Sequence, residues 1–108
     1  MAVRINNQVE TLIDILPKKF GAKKFFIFGS HAYGNPDPGS DLALCLIVDF
    51  TRKRKIEIIR EIRRAMINLI ASPMDILVYY EKEFEERSQL PNTLEHKIMT
   101  EGILVYEQ

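Results

Sequence analysis

Gly29-Ser30, Asp41 and Asp75 are the residues of this sequence whose types and spacing could do chemistry together. Gly29-Ser30 closes an apolar run. Glycine there lets the backbone approach a bulky anion, and the following N–H groups, with the Ser30 hydroxyl, can donate to phosphate oxygens. Asp41 opens one apolar run and Asp75 opens another, so two carboxylates could converge at one edge of a sheet and offer oxygen ligands to a hard cation such as Mg²⁺. Each feature also has a plainer reading: a Gly-Ser turn, an aspartate capping the turn after Ser40, and a charge at a strand edge.

The elements that must position these residues follow from periodicity. Asn6 or Asn7 caps a first helix with Val9, Leu12, Ile13 and Leu16 on one face, and Pro17 is expected to stop it. Lys24 to Phe28 and Leu42 to Val48 read as strands apolar on both faces, which need helices on both sides of the sheet. Thr51 to Ile70 reads as an amphipathic helix whose stripe is Ile59, Ile62, Met66 and Leu69, with Ile58, Ala65 and Ile70 beside it. Met74 to Tyr80 is a third strand, with Asp75 near its start. Glu81 to Leu90 and Thr93 to Glu101 read as helices, the second capped by Asn92 and closed by Gly102, and Ile103 to Tyr106 as a last edge strand.

With 108 residues the chain fits a single α/β (α+β) domain, residues 1–108, with helices packed against a sheet. The formal net charge is zero, which removes any global argument for nucleic acid or an anionic membrane. The charge is nevertheless segregated. Arg52 to Arg64 holds seven Lys/Arg and two Glu, a net of +5, whereas Glu81 to Gln108 holds seven Glu and three Lys/Arg, a net of −4. One basic and one acidic face are therefore expected. The Ile stripe of the basic segment reads as core and its cations as a solvated face, so nucleic acid is not an expected partner, although Lys53 to Lys55 could attract phosphates. No long apolar core of a signal peptide opens the sequence, and the run from Leu42 to Val48 is too short to cross a bilayer, so the expected location is the cytoplasm. Cys45 lies inside that run and reads as a buried thiol. His96 reads as a surface histidine, His31 and Tyr33 as turn residues, and Tyr79 and Tyr80 as divided between core and rim.

Gly-Ser, ten intervening residues, an acid beginning a strand, and a further strand-borne acid about thirty residues later together resemble the polymerase-beta-type nucleotidyltransferases, in their minimal nucleotidyltransferase branch. Gly29-Ser30, Gly34, Ser40-Asp41 and Asp75 carry the resemblance, which runs from the first helix to Gly102-Ile-Leu-Val-Tyr. It implies the nucleotidyltransferase-type mixed sheet, with ATP as substrate and Mg²⁺ as cofactor. Gly29 and Ser30 would hold the triphosphate. The family's paired acids, two positions apart on one strand face, hold two Mg²⁺ ions; the third acid shares one ion and helps to deprotonate the attacking hydroxyl. By position these roles fall to Asp41 and Asp75.

The second of the paired acids should stand at position 43, and Ala43 stands there instead. A methyl group offers no oxygen, so nucleotidyl transfer by this chain is expected to be disabled. Asp37 in the loop and Asp49, about 25 Å along the strand from Asp41, are poor substitutes. Either an aspartate was replaced at position 43, or a natural member has shed a ligand and is kept for binding. Short stand-alone members of this branch are similar to antitoxins encoded beside HEPN-domain ribonuclease toxins, which transfer AMP from ATP to a tyrosine of the toxin. The implied partner is such a HEPN-domain toxin protein in a hetero-oligomer, with no membrane involved. A non-catalytic module that blocks its partner by occlusion is the alternative.

Overall fold

A computed structural model describes residues 7–29, 42–49, 54–70 and 73–108. Helix α1 (Asn7–Phe20) leads into strand β1 (Ala22–Phe28) and then β2 (Leu42–Val48). Helix α2 (Lys55–Met66) crosses to β3 (Met74–Tyr80), and helices α3 (Glu81–Ser88) and α4 (Leu94–Glu101) precede β4 (Ile103–Glu107). The sheet order is β3-β2-β1-β4. β2 and β3 are parallel, joined across α2, whereas β1 is antiparallel to both β2 and β4, giving the mixed sheet that the resemblance implies.

All seven residues of β2 are buried, which is why the strand is apolar without alternation. Leu42, Leu44, Leu46 and Val48 face Leu12 and Leu16 of α1 and Ile58, Ile62 and Met66 of α2. Cys45 and Ile47 face the other way, against Phe84 of α3 and Ile98 of α4. Each of these fully buried aliphatic side chains stabilises the fold by roughly 1.5–3 kcal/mol relative to exposure. No helix among the described residues is long and apolar enough to cross a membrane.

Four expectations are corrected. Pro17 does not stop α1: the helix continues to Phe20, whose ring packs on the core, and it ends at Gly21 with φ +64°. A proline forfeits one hydrogen bond inside a helix, and a left-handed glycine is the stronger terminator. Leu69 is 53% exposed, because α2 ends at Met66 and the turn that follows carries Leu69 outward while burying Ile70. Thr93 rather than Asn92 caps α4, its hydroxyl accepting the His96 N–H at 3.1 Å, while Asn92 takes φ +70° in the turn before it. His96 is half-buried, with Nδ1 2.8 Å from the Ser88 carbonyl oxygen, and so joins α4 to the end of α3. The described part of the second helix expected from sequence begins at Lys55, and residues 50–53 lie outside the described residues.

Gly102 joins α4 to β4 by close approach. A Cβ there would overlap the Ile98 carbonyl oxygen and lie 3.3 Å from that of Ile27. Gly102→Ala is therefore expected to cost about 2 kcal/mol, as overpacking against backbone does, read as a lowered urea midpoint with an unchanged m-value.

Candidate active site

Three strands deliver one residue each to the same end of the sheet. β1 ends at Phe28, and Gly29 turns the chain with φ +79°, a conformation that disfavours any residue with a Cβ. Across the antiparallel pair Phe28 stands opposite Ala43, and across the parallel pair Ala43 stands opposite Asp75. A Cβ built on Gly29 would lie 3.6 Å from that of Ala43. Gly29, Ala43 and Asp75 thus form a row over β1, β2 and β3. The Leu42 N–H donates to the Pro73 carbonyl at 2.7 Å and ties together the starts of β2 and β3.

Ala43 is 8% exposed, whereas Asp75 is exposed. By strand alternation Ala43 shares a sheet face with Cys45 and Ile47, and Asp75 shares one with Leu77 and Tyr79, so both look toward the side that α3 and α4 cover. Ser30 and Asp41, with His31, Tyr33, Gly34 and Asp37, lie outside the described residues. The row presents a single carboxylate, Asp75, and among the described residues no group of three or more His, Cys, Asp or Glu could hold a metal ion.

Sequence reasoning missed Arg63. Its Nη1 donates to the Met74 carbonyl at 2.9 Å, one residue before Asp75. Its position on the solvent face of an amphipathic helix gives no sign of this contact, since the crossover alone brings α2 to the start of β3.

Residues 10–108 match the family described as Polymerase beta, Nucleotidyltransferase. The chain belongs to that family. A solved structure of the toxin–antitoxin pair MntA–HpeT, a mutant with two aspartate-to-glutamate changes two positions apart, shares the nucleotidyltransferase fold. The match has a TM-score of 0.59 and covers 93% of this chain and 73% of that one at 14% identity. No curated protein matches the chain significantly.

The other charged clusters of this nucleotidyltransferase domain lie away from the row. Lys55 pairs with Glu83 and sits 5.7 and 5.1 Å from the ring centroids of Tyr79 and Tyr80, toward the end of β3 opposite Asp75. It is therefore not placed to attract phosphates at the row. Asp49, at the far end of β2, pairs with Lys23 at 3.0 Å. The thiol of Cys45 is fully buried, and burial pushes its pKa far up, so it stays protonated and inert.

Glu95 of α4 is only 5% exposed. Its Oε2 accepts from the Tyr79 hydroxyl at 2.5 Å and its Oε1 from Arg87 Nε at 3.0 Å. Burial by itself would raise this carboxyl, but the Tyr79 and Arg87 hydrogen bonds and the Arg87 charge outweigh it and hold the group below its ordinary value. The trio fastens α4 to β3 and α3. A depressed carboxylate contributes stability that is fully present above its unfolded value, about 4.3, and is lost as pH falls through the lower folded value. Glu95→Gln is thus expected to be less stable than the parent at neutral pH, with the gap closing below about pH 4. Thermal unfolding across that range checks it.

Proposed function

We propose that this chain is an antitoxin-type nucleotidyltransferase whose family chemistry is transfer of AMP from ATP to a tyrosine of a partner HEPN-domain toxin, and that Ala43 disables the transfer in the chain as it stands. The observation that carries this reading is the row Gly29–Ala43–Asp75 at one end of a family-matched sheet. The likeness to the MntA–HpeT pair supports a toxin as partner, and the two substituted aspartates of that mutant have the same spacing as Asp41 and Ala43.

In the reaction proposed, the tyrosine oxygen bonds to the α-phosphorus, the bond to the β-phosphate oxygen breaks, and pyrophosphate leaves. Gly29, with no side chain, leaves room for a triphosphate beside its backbone, and Ser30 would add a donor. Asp75, exposed at the row, is able to accept the proton of the attacking hydroxyl. Bound Mg²⁺ would supply charge neutralisation, with Asp41 and Asp75 as its carboxylates. A two-ion site does not fit these residues, because the shared ligand position holds a methyl group, and no step is derived through the metal.

A second reading is favoured by the burial of that methyl group: a non-catalytic nucleotidyltransferase-like module that neutralises its partner by occlusion. The two readings part in one experiment. A HEPN-domain toxin is incubated with ATP, Mg²⁺ and either this chain or its Ala43→Asp variant, and its intact mass is measured. The expected outcome is added AMP mass with the aspartate form and at least 100-fold less with the parent, on the order of the loss when a catalytic metal ligand is removed. Toxin inhibited by both forms without added mass would sink the transfer reading and establish occlusion.

A further inference from the structure

The outer face of α2 carries a pattern that the row does not use. Ile56, Arg60, Arg63 and Ile67 recur at i, i+4, i+7 and i+11, one stripe along the helix. All four are exposed, Ile56 at 46% and Ile67 at 74%, and Arg64 beside them is exposed as well. The opposite stripe, Ile58, Ile62 and Met66, already supplies the core contact of this helix. The outer isoleucines are therefore not part of that core contact.

The composition of the stripe is that of a protein contact surface. Arginine is enriched and lysine depleted where proteins meet, because the planar guanidinium pairs with carboxylates through two parallel hydrogen bonds and is more weakly hydrated than an ammonium. The stripe's cations, Arg60 and Arg63, are both arginine, and isoleucines flank them at either end. Arg63 reaches the carbonyl of Met74, which ties the stripe to the start of β3.

We infer that the outer stripe of α2 is the docking surface for a partner protein whose contact surface is acidic and bears apolar side chains. The inference rests on the proposed function in taking the partner as the protein acted upon. Charge complementarity selects an acidic occupant. Exposed isoleucines fit a protein better than a phosphate backbone, which would find no use for them. A second copy presenting its acidic α3 would dock head to tail, giving a ring or an open chain of copies rather than a hetero-complex.

The test measures binding of the full chain to a HEPN-domain toxin, at low and high salt. Arg60→Glu is expected to raise Kd about 30-fold or more, and Ile67→Ser about 10-fold, as loss of central interface residues does. Glu86→Lys, on the far side of the sheet, should bind as the parent does. Parent affinity should fall as salt rises. Equal melting temperatures for all variants exclude unfolding as the cause. Parent-like binding by both stripe variants, equal losses with Glu86→Lys, a complex dissolved by nuclease, self-association in place of a hetero-complex, or no binding by the parent would each overturn the inference. AMP transfer by the Ala43→Asp form with parent-like binding of the stripe variants would overturn docking alone. Stripe-dependent binding without AMP transfer would overturn the transfer reading alone.

Discussion

The register of β2 is the constraint on which this molecule depends. The strand is hydrogen-bonded along both edges and buried on both faces, so each of its seven side chains has an assigned place. A slip of one residue would exchange the two faces, putting Cys45 and Ile47 against α1 and α2 and the leucines against α3 and α4, with mismatched volumes in both layers. Packing thereby holds Ala43 opposite Phe28 on one side and Asp75 on the other. The candidate site is a by-product of the core.

That arrangement clarifies what an alanine at position 43 does. A carboxylate there would sit beside a second one, Asp75, on the next strand, a repulsion that cations relieve. The methyl group removes the repulsion along with the oxygen. The row is thereby free of like-charge repulsion between β2 and β3.

Charge is distributed by layer. The basic segment became α2 on one side of the sheet, and the acidic segment became α3 and α4 on the other, with Glu95 drawn inward to clamp Tyr79 and Arg87. A molecule with zero net charge therefore carries charge of opposite sign on the helices of its two layers.

The sequence by itself determined the order of the elements, the strand-borne Asp75, the buried Cys45 and the gap at Ala43, because apolar runs and turn residues act locally. β2 and β3 coincide with their apolar runs. Local signals misjudged Pro17, Leu69 and His96, where packing against distant elements outweighs propensity and period. That Gly29, Ala43 and Asp75 lie side by side was decided by strand pairing across separations of up to about thirty residues, as was the contact of Arg63 with Met74. Periodicity shows which side of a strand or helix a residue takes, but only the sheet's register decides which residues become neighbours, because register is set by the fit of the whole core.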